Sequence, residues 1–133
     1  FFRVPQTRVK AWLKQLDARE IRVDGRMYYA TKDAPEGEMP HVRLLSGFDP
    51  MLLGYRKEDN PILPPEHLRG VFNLTGIVHP TVLADGRIVA RWREKDGKVE
   101  LMPFENIGVR TKKRIEREVE KWFEVKEIRW MEI

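Results

Sequence analysis

Residues 81–103 read TVLADGRIVARWREKDGKVELMP, and this stretch decides the fold of most of the chain. Apolar segments here are separated by two Asp-Gly pairs, Asp85-Gly86 and Asp96-Gly97. An Asp-Gly pair between apolar runs is a strong signal for a tight β-hairpin, because both turn positions need a positive φ. The stretch therefore predicts a meander of three antiparallel strands at 81–84, 87–94 and 98–103.

The central strand of this meander alternates along its length. Ile88, Ala90 and Trp92 occupy every second position. The positions between them are Arg87, Val89, Arg91 and Arg93. Since successive side chains of a strand point to opposite faces, this pattern predicts one packed face and one largely wet face.

The segments around the meander predict a domain that combines helices with strands. Residues 111–123 carry the apolar stripe of a helix, and residues 125–130 follow as a strand. The stripe consists of Ile115, Val119, Trp122 and Phe123. Before the meander, residues 42–48 predict a buried strand that Asp49-Pro50 ends, and residues 51–55 and 65–71 predict short helical turns. The four tryptophans (Trp12, Trp92, Trp122 and Trp130) fall on apolar stripes, and we expect them in the core.

A basic amphipathic helix is predicted near the N-terminus, from about Pro5 to Leu16. Proline suits the first turn of a helix. Val9, Trp12, Leu13 and Leu16 follow at the spacing of one helical stripe. The opposite face carries small, hydrogen-bonding and cationic residues that suit a groove of DNA, namely Thr7, Lys10, Ala11, Lys14 and Gln15.

A second hairpin follows this helix. Residues 20–23 and 27–30 predict two short strands around Asp24-Gly25, with Arg22 and Arg26 near the tip. A helix followed by a tight hairpin is the second half of a winged helix, in which the helix reads the major groove and the hairpin touches the backbone. Because a winged helix needs earlier helices, we expect the chain to begin inside the preceding one.

The predicted fold class is α+β, in three parts. Residues 1–31 are expected to form the C-terminal portion of a winged helix, comprising the recognition helix and the wing. Residues 32–41 are rich in Pro, Gly and charge and predict a linker. Residues 42–133 are expected to form a small β-rich domain with the 111–123 helix packed on it.

The positive charge is concentrated at the N-terminus. The net charge of the 133 residues is +4, yet residues 1–32 hold eight basic and three acidic residues, a local charge of +5. Such a cluster indicates a surface for the phosphate backbone of duplex DNA, through Thr7, Lys10, Lys14, Gln15, Arg22 and Arg26. A solvated basic face with no partner is the alternative.

Several other classes of protein are disfavoured. The chain has no cysteine, and its three histidines (His41, His67 and His79) lack the spacing of metal ligands, so no metal and no cofactor are expected. No apolar run is long enough to span a membrane, and no signal peptide is visible, so we expect a cytoplasmic protein.

No catalytic pattern stands out. Ser46 lacks a nucleophile-elbow context, and Asp49 is expected to cap a turn through its carboxylate. The helix at 111–123 carries both basic and acidic side chains, and this pattern favours a solvated face with internal ion pairs. Its cluster from Arg110 to Arg114 leaves open a second phosphate contact.

Two segments carry a family resemblance. LLSGFDPMLLGYR at residues 44–56 and HPTVLADGRIVARW at residues 79–92 resemble the C-terminal part of a bacterial winged-helix DNA-binding family. That family includes the AlkZ-like DNA glycosylases, which excise alkylated and crosslinked bases. The resemblance implies tandem winged helices followed by a small β-rich, barrel-like domain at residues 42–133. It also implies an upstream Gln-x-Gln motif that positions the attacking water. Here the only glutamines are Gln6 and Gln15, so no catalytic residue is predicted in this chain.

Two functions remain open on the sequence. The first is a DNA-binding fragment of a winged-helix protein, which the resemblance links to base-excision glycosylases; whether the parent protein is an enzyme stays undecided. The second is a non-enzymatic winged-helix module that resembles transcription regulators or binds a protein or small ligand.

Overall fold

The computed structural model describes residues 4–35 and 37–133 of the chain. The chain divides into two compact units, Phe1–Met39 and Pro40–Ile133. The expectation that residues 1–3 belong to a preceding helix lies outside the described residues, as does Glu36 of the expected linker.

The N-terminal unit contains α1 (Gln6–Gln15) and the antiparallel strands β1 (Arg19–Val23) and β2 (Arg26–Ala30). Asp24 and Gly25 join the strands with φ of 48° and 77°, as a two-residue hairpin turn of this type requires. At the end of α1, Asp17 adopts a φ of 50° and Ala18 N donates to Leu13 O at 3.1 Å. This left-handed residue closes the helix, so the chain can turn directly into β1.

The C-terminal unit is built on one sheet of five strands: β3 (Val42–Leu45), β4 (Thr81–Ala84), β5 (Arg87–Lys95), β6 (Lys98–Pro103) and β7 (Glu127–Trp130). The strands lie in sequence order, and all neighbours are antiparallel except β6 and β7. The sheet is open, with β3 and β7 at its edges, so the expectation of a barrel-like domain is wrong.

Helices complete the C-terminal unit. The short helices α2 (Pro50–Leu53) and α3 (Leu68–Val71) lie between β3 and β4, together with single 3-10 turns at Lys57–Asp59 and Pro65–His67. The long helix α4 (Val109–Trp122) connects β6 to β7. Since these two strands run parallel, the chain needs such a crossover to return to the same end of the sheet.

The predicted meander is confirmed, but its central strand contains an irregularity. Leu83 pairs with Ile88 while Val82 pairs with Ala90, so Val89 is an extra residue in β5. A bulge of this kind shifts the alternation of side chains by one position. Ile88 therefore packs with one apolar cluster, and Val89 and Ala90 pack with another. The expectation of one packed face and one wet face is wrong for residues 88–90, since both faces are covered.

Two apolar cores result, one associated with α4 and one with the short helices. The first holds the buried residues Val42, Val82, Ala84, Val89, Ala90, Val99, Leu101, Ile107, Ile115 and Val119. The second holds Leu45, Leu52, Leu63, Val71, Phe72, Val78, Leu83 and Ile88. Both cores lie within the C-terminal unit, where they account for its stability through apolar burial.

The tryptophans divide into two groups, which corrects the expectation that all four are core residues. Trp92 and Trp130 pack partly against the first core. Trp12 is 47% exposed and Trp122 is 63% exposed. Within the predicted stripe of α4, Ile115 and Val119 are fully buried and Phe123 packs partly against the first core, whereas Trp122 is exposed.

The expected strand at 42–48 is shorter in the structure. It ends at Leu45, and Phe48 then adopts a φ of 60° with its side chain 53% exposed. Phe48 N donates to Val78 O at 3.3 Å, and a Cβ on Gly47 would lie 3.2 Å from that same oxygen. Because a φ of 60° is not an extended conformation, the regular strand cannot continue through Phe48.

Candidate nucleic-acid interface

The polar face of α1 is open to solvent. Thr7, Lys10, Lys14 and Gln15 are all exposed. Lys10 and Lys14 are four residues apart, and Thr7 precedes Lys10 by three, so these three side chains share one helical face. The helix thus presents the predicted cations side by side, and Gln15 lies one residue beyond Lys14 at the end of the helix.

The apolar stripe of α1 is largely exposed as well. Val9 is 37% exposed and Leu16 is 60% exposed, and α1 contains no buried residue. Neither face of α1 is therefore packed away in the described part of the chain, although the sequence predicts a packed apolar stripe.

The hairpin places its two arginines on different faces. Residues that pair directly across strands share a face, and successive residues along a strand alternate. Arg22 pairs with Met27, whereas Arg26 pairs with Val23. Both arginines are exposed, but Arg22 points to one side of the hairpin and Arg26 to the other. The sequence placed both beside the turn and did not distinguish these faces.

A groove lies between α1 and the hairpin. Its volume is about 220 Å³, and its lining consists of Lys10, Leu13, Lys14, Ala18, Glu20 and Tyr29. Glu20 pairs with Tyr29 two positions from the Arg22–Met27 pair, so all four share the hairpin face that borders this groove. The structure therefore brings Lys10, Lys14 and Arg22 to one side of the unit and leaves Arg26 on the opposite hairpin face.

Tyr29 was missed by the sequence reasoning. Its side chain is 42% exposed and lines the groove beside the two lysines. Counting back from the Asp24-Gly25 turn would have found it, because that turn sets the pairing of residue 20 with residue 29. An exposed ring beside cations suits contact with a sugar or a base as well as with phosphate.

Two polar residues of the C-terminal unit, Asp49 and His67, have structural partners. Asp49 Oδ1 accepts a hydrogen bond from Met51 N at 2.9 Å and caps α2, which confirms the interpretation of Asp49 as a turn acid. His67 is buried, and its Nδ1 donates to Ile88 O at 2.9 Å. Its Nε2 lies 3.6 Å from Glu105 Oε2. These contacts tie the loops to the sheet.

Two further observations concern metals and membranes. Among the residues described, no three histidine, aspartate or glutamate side chains are grouped so as to hold a metal ion. None of the helices in the described ranges is both long and apolar enough to cross a bilayer.

The chain is thus a mixed α and β protein in which an exposed basic helix and hairpin precede a five-stranded open sheet. The sequence model of the family described as DNA glycosylase AlkZ-like matches residues 1–125. The chain belongs to this family, which confirms that part of the predicted resemblance.

A curated relative and a solved structure agree with this assignment. The chain is 31% identical over 118 residues to an interstrand DNA cross-link repair glycosylase of Streptomyces sahachiroi, a match that covers 84% of this chain and 32% of the relative. The structure of Streptomyces sahachiroi DNA glycosylase AlkZ superimposes with a TM-score of 0.73 at 26% identity, covering 96% of this chain and 38% of that one. The chain spans about a third of the length of these relatives.

Proposed function

We propose that this chain supplies a duplex DNA-binding surface to a base-excision repair protein of the glycosylase type. In this proposal α1 is the recognition helix of a winged helix and the β1–β2 hairpin is its wing. Membership of the DNA glycosylase AlkZ-like family supports DNA as the partner. The activity of the whole protein is part of the proposal, because the chain spans only a third of its relatives.

One observation carries the proposal: Lys10 and Lys14 line one groove, and Arg22 lies on the hairpin face that contributes Glu20 and Tyr29 to that groove. Three cations on one side of a small unit suit the closely spaced phosphates of duplex DNA, whose neutralisation releases condensed counterions. Thr7 and Gln15 would add hydrogen bonds to the backbone or to base edges. Arg26, on the other hairpin face, would contribute less to the same contact.

The test is a fluorescence-anisotropy titration of a short labelled duplex with the purified chain. Three phosphate contacts predict a slope of log affinity against log salt of roughly −3, since each contact adds about −0.9. Lys14→Gln should weaken binding to all sequences alike and flatten that slope by about one unit. Arg26→Gln should have a smaller effect than Lys14→Gln.

The matched control is Arg8→Gln, which removes one charge from the same helix. Arg8 is exposed and lies one residue after Thr7, about a quarter turn or more away from the face of Lys10 and Lys14. It should bind as the parent chain does. If Lys14→Gln and Arg8→Gln bind equally well, the groove is not the interface. That result would favour the other function, a module that binds protein or a small ligand.

The chain on its own should release no base from alkylated duplex DNA. The family resemblance implies a Gln-x-Gln motif for water activation, and the two glutamines here are nine positions apart. Incubation of alkylated DNA with the purified chain, followed by quantification of free bases, checks this expectation. Base release above that of a heat-inactivated sample would show that the chain carries its own catalytic groups.

A further inference from the structure

A second basic surface lies in the C-terminal unit, along α4. Arg110, Arg114, Arg117 and Lys121 follow one another at intervals of four, three and four residues, so they form one stripe on the helix. This stripe borders a groove of about 220 Å³ whose lining consists of Pro40, His41, Val42, Arg114, Arg117, Glu118 and Lys121. Three of these seven lining residues are arginine or lysine, against one carboxylate.

A buried carboxylate holds part of this surface in place. Glu118 is 5% exposed and accepts hydrogen bonds from Lys121 Nζ at 3.0 Å and from Trp122 Nε1 at 3.2 Å. Arg43 Nη1 lies 3.5 Å from the same carboxylate. Burial acts to raise the pKa of Glu118, but the hydrogen bonds from Lys121 and Trp122, with the charges of Lys121 and Arg43, bring the pKa below its ordinary value.

A second carboxylate orients the other end of the groove. Asp85 Oδ1 lies 2.9 Å from His41 Nδ1 and 3.7 Å from Arg114 Nη1. Glu118 and Asp85 are thus outnumbered by the cations that they position, namely Arg43, Arg114 and Lys121, to which the groove adds Arg117. Cations whose side chains are already ordered lose less conformational entropy when they bind an anion.

Two exposed arginines of the stripe, Arg110 and Arg117, make no ion pair with the described residues of the chain. The nearby carboxylate Glu116 accepts a hydrogen bond from Trp130 Nε1 at 2.8 Å, on the side of α4 that faces the sheet. The expectation that internal ion pairs account for the charges of this helix therefore does not describe Arg110 and Arg117.

We propose that this α4 groove binds phosphate groups of the DNA backbone, as a contact surface additional to α1 and the hairpin. From Arg110 to Lys121 the stripe is about 16 Å long, at 1.5 Å per residue. That length corresponds to roughly five nucleotides at 3.4 Å of rise along one strand. The proposal rests on DNA as the partner, and it adds a surface that the binding site on α1 does not require.

The experiment compares two double variants of the complete chain that carry equal net charge. Arg110→Gln/Arg117→Gln removes the two stripe arginines that make no ion pair. Arg56→Gln/Arg69→Gln removes two exposed arginines outside α4, which also make no ion pair among the described residues. Circular dichroism should give the same spectrum and the same Tm for both, because no internal contact is lost.

The α4 variant should bind a labelled duplex on the order of tenfold more weakly at low salt and lower the salt slope by about two units, at about 0.9 for each lost phosphate contact. The Arg56/Arg69 variant should bind as the parent chain does. Combining the α4 changes with Lys14→Gln should add the two losses in log affinity, as expected of separate sites.

Several outcomes would overturn the proposal. Equal weakening in both double variants would mean that only net charge matters. Parent-like binding in the α4 variant together with weak binding in Lys14→Gln would leave α1 as the interface and remove the α4 surface alone. A parent chain that binds no duplex at low salt would defeat both proposals. If polyglutamate displaces the duplex and binds the parent chain more tightly than DNA does, the groove recognises an acidic polypeptide.

Discussion

The two units of this chain contain similar local sequence patterns, yet they differ in how much apolar surface they bury. Each contains an amphipathic helix and an Asp-Gly hairpin. In the C-terminal unit these elements enclose two apolar cores, whereas in residues 4–35 and 37–39 no side chain is buried. The difference shows that local patterning is enough to form a helix or a turn, while stability depends on a partner surface that takes up the apolar stripe.

The largest expected effect follows directly from this contrast. Ile115→Ala removes a fully buried side chain from α4 and should lower the free energy of unfolding by about 2–5 kcal/mol, since it leaves a cavity in the first core. Val9→Ala on α1 should change it by less than about 0.5 kcal/mol. Urea unfolding followed by circular dichroism measures both, and similar losses in the two variants would contradict the contrast.

A smaller effect on the free energy of unfolding is expected at acidic pH. Because the pKa of Glu118 is lower in the folded chain than its ordinary value of 4.5, its contribution to stability is present above that value and is lost as the pH falls through the folded pKa. Glu118→Gln should cost roughly 2 kcal/mol at neutral pH, as expected for hydrogen bonds to a charged group.

The measurement is the free energy of unfolding of the parent chain and of Glu118→Gln from neutral pH to below pH 4.5. The difference between them should shrink toward acid. Glu20→Gln makes the same change of charge at an exposed carboxylate of the N-terminal unit and serves as the control. A difference that stays constant with pH would show that Glu118 acts through packing and not through its charge.

The next effect tests packing at a glycine. A Cβ on Gly70 would collide with the ring of Phe104, so Gly70→Ala should destabilise the second core by about 1–3 kcal/mol. Gly37→Ala meets no atom within 4 Å and should leave stability within about 0.5 kcal/mol of the parent. Thermal unfolding compares the two, and partial recovery by adding Phe104→Leu to Gly70→Ala would identify the ring as the cause.

The smallest expected effect comes from a glycine-to-alanine substitution in a hairpin turn, made once in each unit. Gly25 and Gly86 have φ of 77° and 85° with open space around them, so an alanine costs roughly 1 kcal/mol of backbone strain at either site. Gly86→Ala should lower the Tm of the sheet. Gly25→Ala should instead speed amide hydrogen exchange in β1 and β2 and leave the main transition unchanged. A lowered main transition in Gly25→Ala would show that the two units unfold together.

The sequence by itself determined the elements and most of their order. The Asp-Gly pairs predicted all three hairpins, and the stripes predicted α1 and α4, because turns and helices depend on neighbouring residues. Family membership was also predictable from the segments at residues 44–56 and 79–92. The cations at Lys10 and Lys14 could be assigned to one face from helical periodicity alone.

Tertiary structure decided how these elements pack against one another and which side chains they bring together. The extra residue Val89 in β5 placed Ile88 and Ala90 in different cores, and the register of the hairpin separated Arg22 from Arg26. The sheet stayed open, and α4 brought Arg114, Arg117 and Lys121 against His41, which lies 73 positions before Arg114 in the chain. Such contacts depend on the register of strand pairing and on the geometry of the crossover between distant segments. The local periodicity of the sequence predicts neither the register nor the crossover geometry.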